Sequence, residues 1–256
     1  MVTSPELEAI LASLRANPYS PDQSLEELRG NPFIPAAAAM PLPRGTSYAE
    51  VDAGNVPSEW IDTPNVAADS IFLFIHGGGY YRGSVSESRP IAAHISAASG
   101  MRCLSIGYRL APEHPFPSAI DDAYTAYMWL IEQAIDPTRI VIGGISAGGG
   151  LTMALLLKLK HQGGPLPAGA TPLSAWTDLM QTGQSLHNNA NIDPLISKAY
   201  LNRMADQYLN GTDPTNPLAS PIYGELVGLP RLLIQVGSAE VLLDDSARLA
   251  KRAKAA

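Results

Sequence analysis

Two stretches of this chain, SIFLFIHGGG (residues 70–79) and RIVIGGISAGGG (residues 139–150), run from apolar sequence straight into glycines. A strand exposed on one face alternates apolar with polar residues, whereas an unbroken apolar run needs cover on both faces, as in a parallel sheet flanked by helices. MRCLSIGY, GATPLSAW and RLLIQVG, beginning at Met101, Gly169 and Arg231, have the same character. Helical patterns over residues 120–135 and 151–160 fall between these runs. The alternation predicts an α/β fold with a mostly parallel central sheet and helices on both faces. At 256 residues and 46% hydrophobic content, the chain can bury one such core and carry a small accessory part.

Outside the runs the pattern changes. Ser4 and Pro5 make a good N-cap and first-turn pair, and Leu7, Ile10, Leu11 and Leu14 then share one helical face. SLEELRG predicts a second helix, and the proline- and alanine-rich NPFIPAAAAMPLPRG a connector. SYAEVDA and VPSEWIDT have the composition of short strands separated by a glycine turn. A polar stretch from Gln181 to about Pro217 holds one helical pattern, Lys198 to Leu209. The expected organisation is therefore an N-terminal appendage over residues 1–45, a core over 46–180, an insertion over 181–217 and a return to the core over 218–256.

Composition excludes several partners. A net charge of −7 without any concentrated Lys/Arg face argues against nucleic acid. The N-terminus lacks a basic region and a long apolar run, so no membrane span is expected and the expected location is cytoplasmic. The single cysteine, Cys103, rules out an intramolecular disulfide and, inside an apolar strand, suits a small filler better than a nucleophile. Neither glycine loop carries a phosphate-cradling pattern, and no cofactor or metal is expected.

The chemistry concentrates at the two glycine-rich ends. Gly144-Ile145-Ser146-Ala147-Gly148 fits GxSxG between an apolar strand and an apolar helix, where the chain must turn sharply with the serine in a strained conformation. Gly148, Gly149 and Gly150 let that helix lie close on the sheet. In HGGGYYRGS, starting at His76, open glycine amides can point at a developing carbonyl oxyanion. Gly78 and Gly79 are the candidate donors, with Gly77 shaping the turn and the Ala147 amide completing the set.

The ordered set HGGG, YRLAPEHPFPSAIDDAYTAYMWL and GISAGGG resembles the bacterial hormone-sensitive-lipase-like esterases, an α/β-hydrolase group. The resemblance implies a capped serine carboxylesterase for a small-molecule ester with a short acyl chain, Ser146 as nucleophile, and a cap built from the N-terminal helices and the 181–217 insertion. It places the triad acid at Glu240 in EVLLDDS, with Asp244 in reserve. The alternative account of Asp244 and Asp245 is a solvated helix start. Ile145 departs from the family, which commonly has an acidic residue there. Tyr80, Tyr81, Trp176 and Met180 are candidates for lining the acyl or alcohol pocket.

A serine hydroxyl needs a base, and in this fold the order is serine, acid, histidine. No histidine follows Glu240, and His76, His94, His114, His161 and His187 each have a plainer explanation. Because LLDDSARLAKRAKAA stops without a helix-terminating signal, a further strand, the histidine and a final helix are expected beyond Ala256, leaving RLLIQVG at the sheet edge. Family members often pair through that last strand and helix, so a homodimer is possible. The competing class is a receptor-like, non-catalytic ligand-binding homologue without the triad histidine.

Overall fold

The computed structural model describes residues 4–16, 19, 22–30 and 35–256. Its sheet has seven strands, β1 (Ser47–Asp52), β2 (Pro57–Asp62), β3 (Ala67–Ile75), β4 (Met101–Ile106), β5 (Ile140–Ile145), β6 (Gly169–Leu173) and β7 (Arg231–Leu232), in the order β1-β2-β4-β3-β5-β6-β7. β2 pairs antiparallel with β1 and β4, and every other pairing is parallel.

β3 shows why its run is unbroken. Ile71, Leu73 and Ile75 join the large core cluster with α5 (Ser118–Glu132) and α6 (Ala147–His161), while Phe72 and Phe74 join a second cluster on the other face. Successive strand side chains point to opposite faces, so a strand covered on both must be apolar at every position. The second cluster holds Ala92 and Ala93 of α4 (Val85–Ser99) and the fully buried Cys103, whose thiol pKa burial pushes up.

The apolar strand at residues 231–236 is an edge, but a shorter one than its sequence suggests. Only Arg231 and Leu232 form a regular ladder with β6, followed by a single bridge from Leu173 to Gln235. Pro172 of β6 has no amide to donate at that point, which interrupts the ladder.

Accessory elements frame this core. α1 (Pro5–Ala16) buries no residue, and its expected apolar face is only partly covered: Leu7 and Ile10 are exposed, Leu11 and Leu14 half-buried. α2 (Leu25–Arg29) begins with a capping box between Ser24 and Glu27 and buries Leu28. The expected connector contains a short helix, α3 (Pro35–Ala38), whose first residue is a proline with φ already set for a first turn; residues 31–34 of that segment lie outside the described residues. α7 (Ser185–Asn188) and α8 (Lys198–Leu209) occupy the 181–217 stretch, and α9 (Leu243–Ala255) packs at the far end. Among the described residues, no helix is long and apolar enough to cross a membrane.

Candidate active site

The register of β3 against β5 pairs Ile75 with Gly144, so the two glycine-rich ends emerge side by side. Ser146 sits at the turn from β5 into α6 with φ 57° and ψ −117°, a region a side chain rarely adopts. Its amide donates to Leu173 O at 2.9 Å, and its carbonyl accepts from the Trp176 and Gly150 amides at 3.0 Å each. A Cβ at Gly148 would lie 2.1 Å from Ile75 O, and one at Gly144 2.4 Å from Gly148 O. The motif glycines are therefore required by backbone packed against backbone.

The facing loop is equally constrained. Gly78, Gly79 and Tyr80 have φ of 114°, 63° and 66°, and the Arg82 amide closes the turn onto Gly78 O at 3.1 Å. A Cβ at Gly77 would stand 2.9 Å from Ile145 O and 3.5 Å from the Ser146 Cβ, which measures how closely loop and elbow approach. Ala147 is fully buried at the first position of α6, where unpaired amides concentrate.

Glu240 accepts at Oε1 from Ser174 Oγ at 2.8 Å and from the Gly237 amide at 2.7 Å. Asp244 is engaged elsewhere: its Oδ2 accepts from the Ser185 amide at 2.8 Å, tying α9 to α7. Asp245 is not part of a solvated helix start. It is 2% exposed and accepts at Oδ2 from the Thr177 and Asp178 amides at 2.8 and 2.9 Å. Burial pushes its pKa up to about 7, against the pull of those amides. Neighbouring Asp178 is also desolvated, but hydrogen bonds from Thr182 and Arg248 outweigh the burial and hold its pKa below the usual range.

The recess at Ser146 is a small apolar cavity of about 70 Å³, walled by Ile145, Gly77, Phe74, Ile91 and Ala37 and Ala38 of α3. Tyr80, Tyr81, Trp176 and Met180 do not line it. Tyr80, Tyr81 and Trp176 are buried in the core behind the loop, and Met180, 45% exposed, lines a separate surface recess with Leu179 and Gln181. The sequence shows that aromatic residues follow HGGG, but their direction depends on the left-handed turn at Gly79 and Tyr80. Ser174, Asp178, Asp245 and Arg248 were not anticipated as parts of this end of the sheet. They come from segments some 65–70 residues apart, and no local pattern links them.

None of the hydrogen bonds among the described residues joins a histidine to Ser146 Oγ. His76 also lines the recess, but its Nδ1 lies 2.7 Å from Gly77 O and therefore donates, its ring stacks on Tyr108, and burial lowers its pKa to about 4. His94 Nε2 contacts Pro41 O at 3.1 Å. His114 follows β4, His161 ends α6 and His187 lies in α7. No group of three or more His, Cys, Asp or Glu among the described residues could hold a metal ion.

A mostly parallel sheet carrying a strand–serine–helix elbow beside a glycine loop defines an α/β-hydrolase. Comparison with known proteins narrows this class. A family model described as the α/β-hydrolase fold matches residues 72–256. An acetyl-hydrolase of Streptomyces hygroscopicus is 40% identical over 254 residues, 98% of this chain and 84% of that protein. An esterase of Acinetobacter venetianus is 39% identical over 191 residues, 74% of this chain and 63% of its own length. The crystal structure of an esterase from the bacterial hormone-sensitive lipase family shares 43% identity and superposes with a TM-score of 0.95, covering 100% of this chain and 86% of that one. The chain belongs to this family of bacterial hormone-sensitive-lipase-like carboxylesterases and is a carboxylic-ester hydrolase by descent.

Proposed function

We propose that the protein hydrolyses short-chain acyl esters through an acyl-enzyme on Ser146. The observation that carries this reading is the juxtaposition, set by the β3–β5 register, of a left-handed serine with the Gly77–Gly79 loop. Ser146 Oγ attacks the ester carbon and gives its proton to a base. The oxyanion takes hydrogen bonds from the Gly78, Gly79 and Ala147 amides, and collapse expels the alcohol, which receives that proton. Water, deprotonated by the same base, then releases the acid and restores the serine hydroxyl. Glu240 orients the base.

The base is a histidine outside residues 1–256, a reading supported by the engagement of His76 elsewhere and by the lack, among the described residues, of any hydrogen bond from a histidine to Ser146 Oγ. Residues 1–45 and 181–217 act together as a cap. Arg203 Nη1 donates to Gln23 O at 2.6 Å between the two parts, and α3 walls the recess. A cavity of about 70 Å³ suits an acyl group of a few carbons, in keeping with the acetyl-hydrolase among the relatives. The missing histidine partner also favours a second reading, a ligand-binding homologue without turnover.

The test combines the intact mass of the gene product with hydrolysis of an aryl acetate by residues 1–256 and by any longer product. Turnover in a longer product only, lost in Ser146→Ala, is expected. Esterase-level turnover by residues 1–256 would overturn the external base. Ligand binding without hydrolysis in every form would favour the second reading.

A further inference from the structure

The 181–217 insertion does more than cover the site, because one stripe of α8 touches three consecutive residues of the oxyanion loop. Tyr200, Met204 and Tyr208, spaced by four, lie on one helical face and are all buried. Tyr81 Oη donates a hydrogen bond to Tyr200 Oη. Met204 Sδ occupies the place of a side chain at Gly79, where a Cβ would come within 1.9 Å of it. Tyr208 stacks on Tyr80, with ring centroids 3.9 Å apart and planes 8° from parallel. Three consecutive loop residues thus each meet one turn of α8.

The loop needs such support. Gly78, Gly79 and Tyr80 all have positive φ, which costs free energy at Tyr80 and leaves the glycines entropically free. Among the described residues, the backbone bonds within the loop run from the Tyr81 and Arg82 amides to Gly78 O, at 3.3 and 3.1 Å, and from outside it the Ala111 amide donates to Tyr80 O at 2.9 Å. From α2, Arg29 Nε donates to Tyr81 O at 2.9 Å. A methionine is well suited to the central contact, since its unbranched thioether fills a slot against a bare backbone.

We infer that α8 is a brace for the oxyanion hole and that Met204 is a positioning residue, holding the Gly78 and Gly79 amides in the geometry that receives the oxyanion. This rests on the reading of those amides as oxyanion donors. Removing the prop leaves the substrate site intact and lets the donors drift, so the transition state loses more than bound substrate does.

The experiment compares Met204→Ala, the near-isosteric Met204→Leu and, as a control for global stability, Leu130→Ala in α5, all in the full gene product. Amide exchange at Tyr81 and Arg82 reports loop opening independently of chemistry. Steady-state kinetics with an aryl ester and its thionoester report the oxyanion hole, since sulfur accepts hydrogen bonds poorly. In Met204→Ala, exchange at both amides should rise at least about tenfold. The same variant should lose roughly tenfold in kcat at unchanged KM, part of the 10²–10³ that a whole donor is worth, and the ester-to-thionoester preference should shrink. Met204→Leu should restore most of each, and Leu130→Ala should leave the preference unchanged. Unchanged exchange in Met204→Ala overturns the brace. Faster exchange with unchanged kcat and preference overturns the positioning role. Full turnover in Ser146→Ala would instead remove the acyl-enzyme reading on Ser146 and leave the exchange result standing.

Discussion

Ser174 Oγ donates to Oε1 of Glu240 across 2.8 Å, and the Gly237 amide donates to the same oxygen at 2.7 Å. Both donors sit on one oxygen, so the carboxylate is held by one end, which on the proposed reading leaves Oε2 to accept from the base. Ser174 itself has φ 43°, an unfavourable conformation for a serine, directly after β6. Hydrogen bonds to charged groups contribute about 1.5–3 kcal/mol. With Gly237 still in place, Ser174→Ala should lower kcat for an aryl acetate by about tenfold or less with little change in KM. An unchanged kcat would show that the Gly237 amide alone positions Glu240.

The two carboxylates offered by EVLLDDS separate by partner. Glu240→Gln keeps an acceptor but cannot stabilise an imidazolium, and by analogy with triad acids elsewhere kcat should fall by about 10⁴. Asp244→Asn should leave kcat within a few-fold, because Asp244 holds the Ser185 amide at 2.8 Å and serves the junction of α7 and α9. Steady-state rates of the two variants decide the assignment, and the reverse order would move the acid to Asp244.

The elbow glycines make a stability prediction. A Cβ at position 148 would meet Ile75 O at 2.1 Å and His76 O at 2.4 Å, backbone atoms of the last residue of a strand buried on its two faces and of the residue that follows it. Side chains can rotate away from an intruding methyl, but a central strand cannot. Gly148→Ala should therefore cost at least about 3 kcal/mol, the upper end of ordinary overpacking. For a chain of this size that lowers Tm by roughly 6–12 °C. A melting curve close to wild type would mean that α6 can slide away from β3.

What could be read from sequence follows the range of the forces involved. The apolar runs of β3, β4 and β5, the helix over Lys198–Leu209 and the GxSxG elbow are local patterns, and each lies where its pattern puts it. The inward turn of Tyr80 and Tyr81 was not legible, since it follows from backbone angles that Gly79 permits and α8 imposes. Burial of Asp245 was hidden for a similar reason. Two adjacent aspartates at a helix start resemble solvated charges, and only the approach of the Thr177 and Asp178 amides from another segment makes one of them internal. α3 was masked by prolines that suit a first helical turn as well as a connector.

Asp245 carries the last prediction. Burial raises its folded pKa to about 7 from an ordinary 3.8, with Asp178 adding repulsion and Arg248 partly opposing it. Between about pH 4 and 7 the native state binds a proton that the unfolded chain has released. The stability this group contributes is thus complete below pH 4 and is lost as pH rises through 7. Asp178 behaves oppositely: its depressed pKa gives stability above 3.8 that is lost in acid, outside the range of pH 5 to 8. His76, held neutral by burial with a pKa near 4, opposes Asp245 between about pH 4 and 6.5 but is common to wild type and variant. In Asp245→Asn the Oδ1 atom can still accept from the Thr177 and Asp178 amides while carrying no charge at any pH. Urea unfolding at pH 5 and pH 8 should show the variant gaining about 2 kcal/mol relative to wild type over that interval. Parallel pH profiles for the two proteins would show that Asp245 stays ionised in its buried site throughout.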